Sequence, residues 1–425
     1  MDLVVERLGL YGEGVGRLDG LTIFVDGALP QEVVEAEIYE QKKHFARART
    51  LQLLKESPHR IQPLCPLFGR CGGCQLMHLH YEQQLEAKRT RIVDALERIA
   101  KLDVVVDPCL PSPKPFAYRN KIQLPLSSRR RLGLYAFNTH ELVEIDNCPI
   151  HCDLGEKVMQ QIQQLLLNYP EELDMRHLLI KTAVHTGQVL VILVTQSDRP
   201  LTRLAEQIIT SLPQVKGVVQ NINSSNGNTI LSRDYRLLAG QGWIEERLND
   251  LLFKVSPASF FQVNPLQAEQ LYKQVVELSN LTGKERILDA YCGVGTLALI
   301  FAKNANEVIG IDVVADAIVD ARENAKRNQL YNARFIVGLA EEQIAALEAI
   351  DVAILNPPRK GCAALLLDQL VEKKPKRIIY ISCDPATLAR DLNLLHHKGY
   401  QIESVQPIDM FPQTMHVECI VSLKI

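Results

Sequence analysis

A chain of 425 residues is long enough for two or three domains and needs no covalent staples to bury a core. Its 47% hydrophobic and 23% charged content excludes a disordered or fibrous protein, and a formal charge of −3 excludes a global positive field, leaving nucleic-acid contact to local patches. No uncharged apolar stretch is long enough to span a bilayer, and Met1–Glu6 lacks a basic region followed by an apolar core. The ten cysteines are therefore expected as reduced thiols, metal ligands or nucleophiles of a cytoplasmic protein, with no membrane partner and no disulfide framework.

Residues 1–57 read as a small β-barrel, with short runs at Leu21–Val25 and Val33–Ile38 separated by glycine and proline signals. The basic run Gln41–Arg49, with Phe45 inside it, reads as a solvated face or as an RNA-touching edge of an oligonucleotide-binding (OB-like) barrel. Residues 58–252 follow as a central α+β domain. It opens with Cys65-P-L-F-G-R-Cys71-G-G-Cys74, three thiols close together with a glycine pair that lets the backbone fold tightly. A four-thiolate site needs one more sulfur, from Cys148 or Cys152; Cys148, in the turn Asn147-Cys-Pro149, is better placed. Both zinc and an iron–sulfur cluster accept four thiolates.

Apolar residues at helical spacing predict a helix over Tyr81–Leu102, which can pack on the C-terminal domain. Pro108–His140 carries no acidic residue but holds Lys114, Arg119, Lys121, Arg129, Arg130 and Arg131. Phe116, Tyr118, Tyr135 and Phe137 are interleaved with them. Cations for phosphates and flat rings for unstacked bases suit single-stranded RNA, while a charged surface hairpin is the alternative. Helix and strand patterns then alternate (Val158–Leu167, Leu178–Val184, Gln188–Val194, Leu201–Leu212, Val215–Asn221), and Asn223–Gly227 is a turn-rich loop.

Residues 253–425 read as repeating strand–helix units, the pattern of a Rossmann-like doubly wound sheet. Arg286–Ala290 leads into Tyr291-Cys-Gly293-Val-Gly295-Thr296, where glycines let backbone approach a nucleotide-like ligand. The next strand, Val308–Ile311, ends at Asp312, whose carboxylate can take two ribose hydroxyls. The missing third glycine and Asp289 before the turn favour S-adenosylmethionine over a dinucleotide. Ala353–Leu355 ends in Asn356-Pro-Pro-Arg359, a stiff loop at the ligand-binding edge of the sheet. Asn356 is placed to bond cofactor or base, and Arg359 to steady a base oxygen or phosphate. Ile378–Ser382 reads as a buried strand, Asp384 as a helix N-cap and Pro385 as a first helical residue. Cys383 then stands at a helix N-terminus, where unpaired N–H groups and the helix dipole favour a thiolate. In the last strand, alternation with Val417, Cys419, Val421 and Leu423 puts Glu418 on the other face, where a carboxylate is ordinarily solvated.

Together the C-x5-C-G-G-C cluster, F-F-Q-V-N (Phe260–Asn264), D-A-Y-C-G-V-G, N-P-P-R-K-G-C, I-S-C-D-P-A-T-L-A-R-D and H-V-E resemble the RNA uracil-5-methyltransferases, over nearly the whole chain. The N-terminal barrel resembles the TRAM domain of the ribosomal-RNA members, and the four-cysteine set likewise resembles enzymes acting on large-subunit (23S) rRNA. That resemblance implies a monomeric enzyme that methylates carbon 5 of a uridine in 23S rRNA, with tRNA as the alternative substrate. It implies Cys383 as nucleophile, Glu418 as general base, and Gln262, Tyr291, Asp312 and Asn356 around S-adenosylmethionine. It also implies Cys65, Cys71, Cys74 and Cys148 as ligands of a 4Fe–4S cluster. Two positions depart from the family pattern. Asp312 stands where Glu is frequent and shortens the carboxylate's reach; Asn356 stands where Asp is usual and removes a charge. Competing readings are an amino-group methyltransferase, suggested by Asn-Pro-Pro, and a non-catalytic RNA-binding assembly factor.

Overall fold

The computed structural model describes residues 1–225, 227 and 229–425. Its N-terminal unit is a six-stranded sheet in the order Asp2–Val4, Val33–Gln41, Phe45–Lys55, Leu21–Asp26, Gly14–Leu18, Arg7–Leu8. The chain passes from one edge strand to the other through Val5 and Glu6, whose N–H groups donate to Glu32 O and Val15 O. The sheet therefore curls until its edges meet at consecutive residues, but no ladder closes it into the expected barrel. Phe45–Lys55 is interior, paired on both sides, so the basic run is not an edge. Its register sets Arg47 opposite Glu40 and Arg49 opposite Glu37, and both arginines form ion pairs with these acids. Cross-strand acids thus neutralise the patch that looked basic in one dimension.

The central unit holds a five-stranded sheet in the order Tyr235–Gly240, Val215–Ile222, Gln188–Thr195, Met175–Ala183, Lys121–Pro125. Helices Asp153–Leu167 and Thr202–Ser211 cover one face through Val158, Ile162, Leu204 and Ile208. The hairpin of Ile244–Leu248 and Leu251–Val255 covers the other face with Ile244 and Val255. Leu248, Leu251 and Phe253 of the same hairpin belong to the core of the C-terminal domain, so it is wedged between the two. Of the N-S-S-N-G loop, Asn226 lies outside the described residues; Asn223 Oδ1 accepts Ser225 N at 3.0 Å, the side-chain turn such residues form.

Helix Tyr81–Ala95 continues through a single π-helical stretch, Leu96–Ala100, and ends before the expected Leu102, at Lys101 in the left-handed conformation. Its Ile92, Ala95 and Leu96 enter the C-terminal core. Lys88, fully buried, pairs with Asp409 and donates to Phe411 O at 3.0 Å, while Tyr81 OH donates to Asp409 at 2.8 Å. Gln84 and Gln413 exchange hydrogen bonds at 3.1 Å.

The C-terminal sheet has seven strands in the order Ala333–Val337, Glu307–Asp312, Arg286–Asp289, Val352–Leu355, Arg377–Ser382, Glu418–Lys424, Gln401–Ile408. All are parallel except Glu418–Lys424, which runs antiparallel to both neighbours. Chain order reverses between Arg286–Asp289 and Val352–Leu355. That is the switch point, and ligands bind beyond the carboxyl ends of strands flanking it.

Candidate active site

Four adjacent parallel strands deliver functional side chains to one edge of this sheet. Arg286–Asp289 is followed by Tyr291 and the glycine loop, Glu307–Asp312 ends at Asp312, Val352–Leu355 leads to Asn356, and Arg377–Ser382 to Cys383. The antiparallel strand begins at that edge with Glu418. Its last rung with the nucleophile strand is Ser382↔Cys419, one residue before Cys383 and one after Glu418, and the Glu418 carboxylate is near enough to act on the thiol.

The turn at Cys383 forms as the residues dictate. Asp384 is the N-cap of helix Pro385–His397, accepting Ala386 N at 3.1 Å and Thr387 N at 2.9 Å, and proline occupies the first turn. The expectation of a thiolate there is corrected. Burial and the nearby Glu418 carboxylate push the half-buried Cys383 thiol up to about 11, with Arg359 opposing them. The physical reason is local: the capping carboxylate already takes the helix's free N–H groups, and its own charge works against a second anion.

Glu418 is also not solvated. Its side of the strand, shared with Ile420, is covered by Leu271, Tyr272 and Val275 of helix Pro265–Ser279, and it is only 6% exposed. Burial raises its carboxyl to about 7, with Arg359 opposing the rise. Arg359 is thus a counter-charge within reach of both reactive groups. Its loop is clamped from the Pro385–His397 helix: Thr387 Oγ1 donates to Arg359 O at 3.1 Å, and Arg390 donates to Lys360 O and Cys362 O. Asp391, buried, accepts Cys362 N at 2.8 Å and Tyr380 OH at 2.6 Å. Gly361 has φ +75°, and a Cβ there would lie 2.7 Å from Asp391 Oδ2, so the loop requires glycine.

On the other side of the switch point, Gly293 and Gly295 have φ of +53° and +83°. A Cβ on Gly293 would meet nothing within 4 Å, leaving open space over the loop. Asp312 fixes that loop, accepting Gly293 N and Val314 N at 2.9 Å each, and retains lone pairs for a ligand. Tyr291 lies beside Cys362, and burial followed by the Cys362 sulfur raises its hydroxyl pKa. Gln262 is buried, two residues before Asn264, which caps helix Pro265–Ser279. Asp289, in sequence a marker of the turn, has its carboxyl buried and raised to about 7 by desolvation and by Asp312. Neither of its oxygens has a hydrogen bond of good geometry, although the Tyr291 and Ala298 N–H groups are near enough to oppose the shift. Arg91, expected with Glu86, Lys88 and Arg89 on a solvated helix face, is instead partly buried and donates to Met415 O at 2.6 Å. Nothing in its helical spacing marks it as more than a solvated charge.

The cysteines sort cleanly. Cys65, Cys71, Cys74 and Cys148 line one cavity of about 330 Å³, whose wall also includes Arg119, Arg359 and His416. Cys152 is buried instead at the start of helix Asp153–Leu167. Among the described residues, no three His, Cys, Asp or Glu side chains converge on a position for a single metal ion. The basic stretch 108–140 is less available than expected. Arg129 pairs with Glu144, Arg131 with Asp146, and Arg130 donates to Tyr169 O and Glu171 O. Tyr118 is buried, leaving Tyr135 and Phe137 exposed.

Comparison with known proteins shows the family. The family model of the tRNA (uracil-5-)-methyltransferases matches residues 80–425, and that of the TRAM domain matches residues 1–51. Uncharacterized RNA methyltransferases of Clostridium acetobutylicum and Halalkalibacterium halodurans are 40% and 39% identical, covering 100% of this chain and 96% and 97% of their own. The crystal structure of the tRNA (uracil-54, C5)-methyltransferase of Pyrococcus abyssi, in complex with S-adenosyl-L-homocysteine, is 30% identical with a TM-score of 0.78, covering 100% of both chains. With a TRAM domain ahead of its catalytic region, the chain belongs to the tRNA (uracil-5-)-methyltransferase family of RNA methyltransferases.

Proposed function

We propose that this enzyme methylates carbon 5 of a uridine in 23S rRNA through a covalent bond between Cys383 and carbon 6. The observation that carries the reading is that Cys383, just past the rung Ser382↔Cys419, and the buried Glu418, just before it, lie close enough to interact at the ligand-binding edge of the sheet. Support for a donor site comes from the open face over Gly293 and from the Pyrococcus abyssi enzyme, whose structure contains S-adenosyl-L-homocysteine. Gln262, Tyr291, Asp312 and Asn356 hold S-adenosylmethionine, which supplies an electrophilic methyl group.

Carbon 5 of uracil is a weak nucleophile until a thiolate adds to carbon 6 and places enolate density on it. Cys383 forms that bond, and the electron pair of the 5,6 double bond moves to carbon 5. Carbon 5 takes the methyl group held in line, where proximity supplies much of the acceleration. Glu418 as carboxylate removes the carbon-5 proton, the double bond re-forms and the thiolate leaves. Because the thiol stands near 11 even with Arg359 opposing the rise, it gives its proton to solvent as it adds. The Arg359 cation steadies the thiolate so formed, and the thiolate takes a proton back after elimination. A carboxyl near 7 is matched to taking a proton at neutral pH. The target base must leave its stack to reach Cys383.

Four thiols lining one cavity are the donor set that a 4Fe–4S cluster takes, as zinc also does. Cys65, Cys71, Cys74 and Cys148 would hold it, and no step of the methylation passes through it. Transfer-RNA uridine is the second reading, favoured by the substrate named for the Pyrococcus abyssi protein. Incubation with 23S rRNA and tRNA transcripts, followed by nucleoside analysis, decides between them. Cys383→Ala should form no 5-methyluridine, and Glu418→Gln should accumulate an RNA–protein adduct on a denaturing gel. Methyl on nitrogen, or full turnover by Cys383→Ala, would overturn the mechanism.

A further inference from the structure

The central sheet buries a lysine that the reaction does not use. Strand Met175–Ala183 is covered on both faces: Leu178 and Ile180 point to the helices, and Leu179 and Ala183 to the hairpin side. Strand alternation puts Lys181 on the hairpin face, where it is 6% exposed. Its Nζ donates to Ser256 O at 2.8 Å and Ser259 O at 2.7 Å. Those carbonyls belong to the crossing between the hairpin and helix Pro265–Ser279, the segment that contains Phe260 and Gln262.

Other contacts hold the same segment. Ser256 Oγ donates to Asp320 at 2.8 Å and Ser259 Oγ to Ser256 O at 2.9 Å. Asn120 N, from the central domain, donates to Val263 O at 2.8 Å. Asn264 donates to Ser112 Oγ and to Met410 O. Helix Pro265–Ser279 carries the buried Tyr272, whose hydroxyl is within electrostatic reach of Glu418 and Asp289. The segment is thus pinned at both ends, with Phe260, 70% exposed, at its free tip. A buried ammonium is costly, and desolvation lowers this one to about 7. Packing alone would be met more cheaply by an apolar side chain of similar length.

We infer that Lys181 is a positioning residue that sets the Phe260–Gln262 segment at the rim of the donor cleft, tying cofactor affinity to the docking of the central domain. This rests on the reading that Gln262 meets S-adenosylmethionine. Lys181→Met and Lys181→Gln in the full chain test it, with wild type alongside. Loss of ground-state positioning should raise KM for S-adenosylmethionine and Kd for S-adenosylhomocysteine by about tenfold to about a hundredfold, with kcat nearly unchanged. Amide hydrogen exchange should accelerate across residues 256–263 and not in helix Asp153–Leu167. Folded variants with wild-type KM and Kd overturn the proposal. So does unfolding of both variants at the assay temperature, which would make Lys181 a residue of the fold and not of the segment. A wild-type chain that binds S-adenosylhomocysteine but makes no 5-methyluridine removes the reaction alone, and the calorimetric Kd values then judge Lys181. A wild-type chain without that affinity removes both.

Discussion

Replacing Glu418 by glutamine separates the buried carboxylate from everything else in the site, because the amide keeps its shape and cannot ionise. In the folded chain the carboxyl stands near 7, against an ordinary 4.5. Between those values the folded chain holds a proton that the unfolded chain has released, so wild-type stability falls as pH rises through the window. The glutamine variant has no such loss. With each tenfold change in proton affinity worth about 1.4 kcal/mol, the rise from 4.5 to about 7 corresponds to about 3 kcal/mol. The variant should therefore gain on wild type by up to about 3 kcal/mol between about pH 4 and about pH 8, levelling off above that. Paired denaturant titrations followed by circular dichroism measure the difference. Asp289, also raised to about 7, is present in both chains and cancels. A variant-minus-wild-type difference that does not change with pH would show that Glu418 is solvated in the folded chain, and the proposed general base would lose its physical basis.

Arg359→Gln removes the cation that opposes the rise at both Cys383 and Glu418, so the pH–rate profile should move to higher pH and activity at neutral pH should fall; an unmoved profile refutes the electrostatic role. Lys88→Met leaves Asp409 buried without its partner and should cost about 3–5 kcal/mol in thermal or denaturant unfolding, most of it recovered when Asp409→Leu is added. Recovery that fails would place the loss in packing instead of charge. Anaerobically purified protein should hold about four irons per chain, as a four-thiolate cubane does, and Cys71→Ser should lose most of them together with the visible absorption; zinc at about one per chain would replace the cluster with a single-ion site.

What could be read along the chain was whatever one turn's own residues decide. Asp384 and Pro385 cap a helix wherever they stand before one, and Gly293 and Gly295 permit a positive φ in any setting, so the strand–turn–helix units and the sheet edge were legible. Glu418 was not, because its burial depends on helix Pro265–Ser279 packing over its face of the sheet, a contact that no local pattern announces. The basic run at 41–49 is a solvated face, as its charges suggest, but the acids that pair with its arginines, Glu37 and Glu40, come from the adjacent strand.

The thiol is the instructive case. Its position followed from the turn, while the charge it would carry did not, because the carboxylate that builds the turn also uses up the helix N-terminus, and Glu418 lies across the ladder. A nucleophile held near 11 is largely protonated in the resting chain at neutral pH, and one that ionises chiefly when substrate is in place spares a half-buried sulfur from adventitious chemistry. Arg359 is suited to that timing. It sits on a loop fixed by Thr387 and Arg390, its side chain is exposed, and the arrival of a base would strip water from it, strengthening its pull on the sulfur as the dielectric falls. The same loss of water penalises the thiolate and strengthens the repulsion from Glu418, so the pull of Arg359 must outweigh both for the thiol pKa to fall when RNA binds. An RNA-bound thiol that titrates no lower than the free one removes Arg359 from the activation of Cys383.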